Sequence, residues 1–371
     1  MASEAAEEAA NLAAPMVNRT CPRGILPASN SSWWSPANCA AVACFAARGG
    51  CPSGSWKDAT ATAVAALASA REPLILVNAG ANKGYAVAEW TQRFGAAEFT
   101  LRDWYTNLTA IKATMMLRCG YCRACNAPDP MRRPHPGGVH AYAVELLGTN
   151  AIVLRMMMER MRITGATSVH EMALSNYSGD AYRPLFHRTG EEDVGAQSTA
   201  GRHTARVESL TLDDFAARQS IRTIHTLSLD AEGWDSRILH GAATLLREKR
   251  IGLLEFEYAP KAWATAAGLW KIAAVDDDAA IRAGRMRHPA LPLVASELAQ
   301  TVGWLSDMGY QCFWQGRDED TLLGTTRERI EACHDAIAGV PQGNLVCAPS
   351  QSAVLERLRT LRLPTDKASV R

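Results

Sequence analysis

A chain of 371 residues, 47% hydrophobic and 21% charged, can bury one large core or two small ones. Its 39 basic and 38 acidic residues are interleaved and leave a formal charge of +1, which argues against a nucleic-acid partner. No apolar run reaches the length of a membrane span; the softest, Ala61 to Ala70, is short and alanine-rich.

Residues 1–56 read as a Cys-rich appendage. Met1 to Ala14 predicts a loose helix, and its acidic start lacks the basic-then-apolar layout of a signal peptide. Cys21 to Trp56 is rich in Pro, Ser, Gly and Cys, the composition of a disulfide-stapled arm or a pinned lid. Lys57 to Ala70 predicts a helix. The stretch Pro73 to Gly84, PLILVNAGANKG, then organises the chain: Leu74 to Val77 predicts a strand, Gly80 and Gly84 a tight turn, and Val87, Trp90 and Phe94 one helix face. Glycines there let the backbone approach a ligand, and the next helix N-terminus offers it unpaired N–H groups. A nucleotide-like cofactor over the turn is the natural reading.

Phe99 to Trp104 is ambiguous, and an irregular insertion over about 105–138 holds Cys119, Cys122, Cys125 and the proline-rich Pro128 to Gly138. Val139 to Val144 predicts a strand ending on Glu145. Asn150 is the expected cap of a helix to Met161, and Ser168 to Ala173 is a third strand. Asn176 to Arg206 reads as a loop or hairpin excursion. Thr211 with Asp213 and Asp214 opens a short helix, Leu212 to Arg218, before a strand at Ile224 to Leu229. Trp234 to Lys249 predicts one continuous helix, with Ile238, Leu239, Ala242, Leu245 and Leu246 on a single face. A strand at Ile251 to Tyr258, a charged loop at Lys271 to Pro292, a helix at Leu293 to Met308, and strands at Tyr310 to Trp314 and Asn344 to Ala348 follow. Residues 351–371 read as a C-terminal helix and tail, frayed from Pro364. Strands alternating with helices predict one doubly wound, Rossmann-like α/β sheet domain over residues 57–350, with loop insertions.

In such a sheet ligands sit beyond the C-terminal strand ends. The first strand delivers Asn78, Gly80, Asn82 and Gly84, and the second Glu145, whose carboxylate can accept from both hydroxyls of a ribose or stand as a solvated charge. The fourth delivers Asp230, Glu232 and Gly233. That carboxylate pair can hold an acceptor hydroxyl, take its proton, bind a divalent cation or cap a helix, and Asp235 reads as a plain cap. Ten cysteines and four sequons, at Asn18, Asn30, Asn107 and Asn176, fit an oxidising lumen. The acidic N-terminus fits the cytosol, so the compartment stays open. The triplet Cys119, Cys122, Cys125 suggests zinc with His135 or His140 as a fourth ligand, but no second C-x-x-C completes the set. Disulfides are the favoured expectation and no metal site is assigned.

VNAGANKG (Val77 to Gly84), the strand ending on Glu145, LTLDDF (Leu210 to Phe215), LSLDAEGWDSRILHGA and the strand LLEFEY together resemble the FkbM family of methyltransferases. MALSNYSGDA (Met172 to Ala181) and Gly309-Tyr310 fit its later blocks, so the resemblance spans roughly residues 70–350. It implies S-adenosylmethionine as cofactor and O-methylation of a small-molecule or glycan hydroxyl. It implies that the Gly80 to Gly84 loop, with Asn78 and Asn82, holds the methionine part and Glu145 the ribose. The stretch Glu171 to Ser175, Ala173 within it, would lie beside the adenine. Asp230 and Glu232 would orient or deprotonate the acceptor, with Glu257 a weaker candidate. The chain departs from the family at Asn78, where Asp is usual, at Ser228, where Lys is common, and in the long interval before Glu145. Two other readings accompany this one. A non-catalytic module retaining the fold would explain Asn78 and Ser228. A nicotinamide-dependent oxidoreductase is disfavoured because GANKG lacks the G-x-G-x-x-G spacing.

Overall fold

Strands and helices follow one another from Leu74 to Tyr258, and the computed structural model shows what they build. It describes residues 34, 38–48, 55–111, 128–187, 195–197, 199–269, 290–316, 322–340 and 342–361. Helices α1 (Cys39–Arg48) and α2 (Ser55–Ala65) precede β1 (Leu74–Ala79), which leads into α3 (Tyr85–Phe94) and α4 (Leu101–Thr109). Then come β2 (Val139–Glu145), α5 (Gly148–Arg160), β3 (Thr167–Glu171), β4 (Ala173–Ser175), β5 (Gly179–Pro184) and β6 (Thr204–Thr211). Next are α6 (Leu212–Arg218), β7 (Thr226–Leu229), α7 (Asp235–His240), α8 (Ala243–Arg247), β8 (Leu254–Tyr258) and α9 (Pro260–Ala266). The chain closes with α10 (Ala290–Asp307), β9 (Tyr310–Gln315), β10 (Leu322–Thr325), α11 (Arg327–Ala332), α12 (His334–Ala338), β11 (Gly343–Pro349) and α13 (Ala353–Thr360).

The large sheet has eight strands in the order β10-β9-β11-β8-β7-β1-β2-β3, and β4-β6-β5 form a small second sheet. Strands β3, β2, β1, β7 and β8 are mutually parallel, whereas β11 runs antiparallel between β8 and β9. Side chains alternate across the sheet. Val77, Leu227, Leu229 and Phe256 pack on one face with α7, α8 and α10, and Leu76, Ala141, Leu253 and Val346 pack on the other with α2, α3, α5 and α13. The result is a mixed α/β fold around a large, mostly parallel sheet, consistent with the expected Rossmann-like sheet.

Several elements differ from expectation. Trp234 to Lys249 is two helices, because Gly241 packs so closely on the Ser175 carbonyl that a Cβ would lie 2.0 Å from it. The Gly241 carbonyl is taken by the Asp213 N–H, and the Asp213 carboxylate accepts the Thr244 and Leu245 N–H groups, so α8 starts afresh. Asn150 is not a cap: α5 begins at Gly148 behind Leu147, and Asn150 lies buried in its first turn. Asp235 makes no capping hydrogen bond either. The third strand ends at Glu171, since the next N–H, of Met172, turns to the Glu145 carbonyl and starts β4 in the second sheet. The excursion after Asn176 is a hairpin of β5 and β6. The ambiguous piece at Phe99 to Trp104 becomes α4 through a capping box of Thr100 and Asp103. Elements β10, α11 and α12 were not anticipated, and Ala290 to Pro292 belong to α10 rather than to a loop. The stapled arm is realised at Cys39, bonded to Cys333, and a second disulfide joins Cys312 to Cys347. The cysteine triplet, Met1 to Ala14, the frayed tail and residues 271–289 of the charged loop lie outside the described residues.

Candidate active site

The parallel register brings the C-terminal ends of β2, β1, β7 and β8 side by side. Asn78 is buried at the end of β1; its Nδ2 donates to the Ser228 carbonyl at 3.4 Å, while its Oδ1 is buried with no partner. Gly80 has φ +79°, and a Cβ there would fall 1.8 Å from the Asp230 carbonyl oxygen, so the turns after β1 and β7 touch only because this residue is glycine. The Asp230 N–H donates to the Ala79 carbonyl at 3.0 Å and ties the same two turns. Gly84, at φ +76°, leaves no room for a side chain between Leu154 and Trp104, and the Trp104 indole donates to the Lys83 carbonyl at 2.9 Å. Helix α4, ambiguous in sequence, therefore braces the glycine loop from outside.

Glu145 is buried, which overturns the solvated-charge alternative. Its Oε2 accepts the Asn82 N–H at 2.7 Å and its Oε1 the Leu147 N–H at 2.8 Å. Burial pushes its pKa up to about 6, against the pull of those two amides and of Asn150, and the negative charge of Asp230 adds to the rise. With the Asn82 and Leu147 amides and the Asn150 side chain as partners, the carboxylate, which has about four acceptor positions, keeps acceptor capacity. Ala173 is buried at the start of β4, one residue past the Met172 N–H that meets the Glu145 carbonyl. The predicted cofactor residues are thus grouped at the ends of β1, β2 and β3.

On the other side Asp230 is exposed, Glu232 is half-buried with φ +52°, and Gly233 lets the turn lie on α9, where a Cβ would meet the Ala262 carbonyl at 2.3 Å. Two further carboxylates join them. Glu257 is buried at the end of β8 and accepts from the Gln342 amide; its pKa is raised well above the ordinary value by burial, then by Asp230, Glu232 and Asp235. Asp235 is fully buried, and neither of its oxygens makes a hydrogen bond of good geometry. Nearby backbone amides of Asp235, Glu257 and Ala231 only partly offset burial and Asp230, which lift its pKa to about 7. Asp230 acts electrostatically on Glu145, Asp235 and Glu257 alike, so it sits between the two halves of the site.

In sequence Asp235 reads as a plain cap and Glu257 as a weaker candidate; the structure buries both carboxylates, and Asp235 caps nothing. Among the described residues no three His, Cys, Asp or Glu side chains are disposed to hold a metal ion. The two histidines named as zinc ligands are otherwise engaged: His135 Nε2 faces the Ser69 and Glu72 carbonyls, and His140 Nε2 faces the Ser168 hydroxyl. No described helix is long and apolar enough to cross a membrane.

Comparison with known proteins gives one match. The family model of the methyltransferase FkbM domain aligns with residues 78–312, well over half of the chain, from Asn78 at the end of β1 to Cys312 in β9. No curated protein and no solved structure matches.

Proposed function

The chain belongs to the FkbM methyltransferase family, and from that premise we propose that it moves the methyl group of S-adenosylmethionine onto a hydroxyl of a carbohydrate or another small metabolite. The observation that carries this reading is the continuous cradle running from the Gly80 to Gly84 loop, through the Asn82 amide, to the buried Glu145 carboxylate. Its chemistry suits the cofactor: close backbone approach, a buried unpartnered Asn78 oxygen, and a carboxylate with acceptor capacity left for ribose hydroxyls. Asn78, Gly80, Asn82 and Gly84 would hold the methionine part, Glu145 the ribose, and the segment around Ala173 the adenine edge.

When bound, the sulfonium supplies an electrophilic methyl group. The chain's own residues must then align an acceptor oxygen and remove one proton from it. Asp230 and Glu232, on the turn after β7, would orient the hydroxyl. Glu257, with a pKa raised well above the ordinary carboxylate value, and Asp230 beside it are the candidate bases. A carboxylate with a raised pKa is a stronger base, and burial with the crowding of four carboxylates raises it.

The test is calorimetric titration with S-adenosylmethionine and S-adenosylhomocysteine, followed by a methyl-transfer screen over glycans. An enzyme of this kind binds both, and its Asp230→Asn variant keeps that binding but loses turnover. A folded protein that binds neither ligand overturns the reading and leaves a methyltransferase-like binding module.

A further inference from the structure

Beneath the strand ends, on the face covered by α2 and α3, lies a polar cluster that the proposed chemistry does not use. Lys57 reaches down from α2. Its Nζ stands 3.1 Å from Glu255 Oε2 on β8 and 3.4 Å from Glu89 Oε2 on α3, with 24% of its side chain exposed. Each carboxylate has a second partner. Gln315 Nε2 donates to Glu255 Oε1 at 3.3 Å, and Arg93 holds Glu89 Oε1 at 2.7 Å while also pairing with Asp58. Burial opposes a charge on Lys57, but Glu255 and Glu89 more than compensate and hold its pKa above the ordinary lysine value.

Ser228 lies directly across from Glu255 in the β7–β8 register and from Asn78 in the β1–β7 register. The small side chain at 228 cannot neutralise Glu255. It borders instead a cavity of about 40 Å³ walled by Trp56, Thr60, Glu89, Trp90, Thr226 and Glu255. The indole nitrogens of Trp56 and Trp90 and the Thr226 hydroxyl are buried there without partners. This is an unfilled, mostly apolar space with those polar atoms on its wall, on the sheet side of the ion pair and open to a longer side chain from β7. The helix that Lys57 grips through Glu89 is the one that starts at Gly84, the last residue of the glycine loop.

We propose that Lys57 is a positioning residue for the cofactor loop. Its ammonium, brought in by α2, ties α3 to β8 and takes the place that a lysine at position 228 would fill from within the sheet. The part concerning the cofactor rests on the function proposed above; the relocated charge does not.

A double-mutant cycle decides it, read by thermal unfolding without ligand and by calorimetry with S-adenosylhomocysteine. Lys57→Met is expected to lower the melting temperature and to weaken S-adenosylhomocysteine about tenfold. Ser228→Lys in the native background is expected to lower the melting temperature too, by placing a second ammonium beside the first. The double variant K57M/S228K should regain most of both losses, so the sign of the Ser228→Lys effect reverses with the background. A Ser228→Lys change that gives no recovery in the Lys57→Met background overturns the proposal. If Lys57→Met alone does not fold, a folded double variant supports the relocation and an unfolded one overturns it. Recovery of stability together with unchanged affinity in Lys57→Met overturns the positioning role and leaves a structural pair. A native protein that binds no S-adenosylhomocysteine fails the cofactor reading instead, while the melting temperatures still decide where the charge belongs.

Discussion

Glu145 serves two purposes, holding the Asn82 amide that shapes the glycine loop and, in the function proposed here, accepting from a ribose. Its pKa of about 6 stands above the ordinary 4.5, so the carboxylate contributes stability below about pH 4.5 that is lost as pH rises through about 6. Cofactor binding should run the other way, since only the ionised form offers all its lone pairs to hydroxyl donors. We expect S-adenosylhomocysteine affinity to be about tenfold weaker near pH 5 than near pH 7, with the midpoint near 6. Glu145→Gln should flatten that profile at the weak end, because one face of its amide would set an NH₂ against a backbone N–H. Calorimetry across pH checks both, and an unchanged profile in Glu145→Gln would assign the titration elsewhere. The loop residues and Glu145 were legible because glycine spacing and a strand-terminal acid are local signals. The burial of Glu257 was not: β11, which covers β8 and makes it an interior strand, comes from residues 343–349, more than eighty positions away. A carboxylate at a sheet edge and one in a sheet interior look alike in sequence.

At the level of elements, the segment Trp234 to Lys249 shows how periodicity misleads. Ile238, Leu239, Leu245 and Leu246 are all buried and in phase, yet the helix is interrupted at Gly241 by the approach of the Ser175 carbonyl. Asp213 repairs the interruption. Its two oxygens accept the Thr244 and Leu245 N–H groups at 2.8 and 3.0 Å and so cap α8 from another part of the chain. The pair Asp213-Asp214 is thereby divided in labour: the Asp214 N–H meets the Thr211 hydroxyl of its own helix, while Asp213 serves the next one. Asp213→Ala should cost about 1–2 kcal/mol in denaturant unfolding, the usual loss for an N-cap. A loss below a few tenths would mean that water replaces the carboxylate at that helix end. Capping residues can be read from sequence when donor and acceptor are neighbours. This pair is separated by thirty-one positions.

The molecule as a whole is larger than the stretch the family model matches, and its sheet explains why. The match ends at Cys312, inside β9, whereas β11 lies between β8 and β9 with every residue buried. Cys312 and Cys347 face each other across the β9–β11 register and are bonded. At the other end of the chain, Trp34 donates to the Gly324 carbonyl at 3.0 Å and Cys39 is bonded to Cys333, so the N-terminal arm is fastened to elements that follow β9. The abundance of cysteine foretold staples; their pairing depends on contacts between distant segments and was not legible. On the face that carries Lys57, Trp56, Ala61 and Val64 share a core with Val354, Leu355 and Leu358. A fragment limited to residues 78–312 would therefore lack Leu74–Val77 of β1, the strand between β8 and β9, the Cys39–Cys333 and Cys312–Cys347 disulfides, the Lys57 ion pair and the partners of that core. It would expose unpaired N–H and C=O groups along β8, beside the buried carboxylates Glu255 and Glu257. We expect it to aggregate on size-exclusion chromatography and to show no cooperative unfolding. Residues 34–361 should give native-like near-ultraviolet circular dichroism and keep the S-adenosylhomocysteine affinity of the full chain. A soluble, cooperatively folding 78–312 fragment would show instead that β2, β7 and β8 hold together without most of β1 and that the flanking segments are accessory. The physical reason to expect otherwise is that five of the seven β11 residues pair with β8 and five with β9, so removing β11 opens two ladders at once.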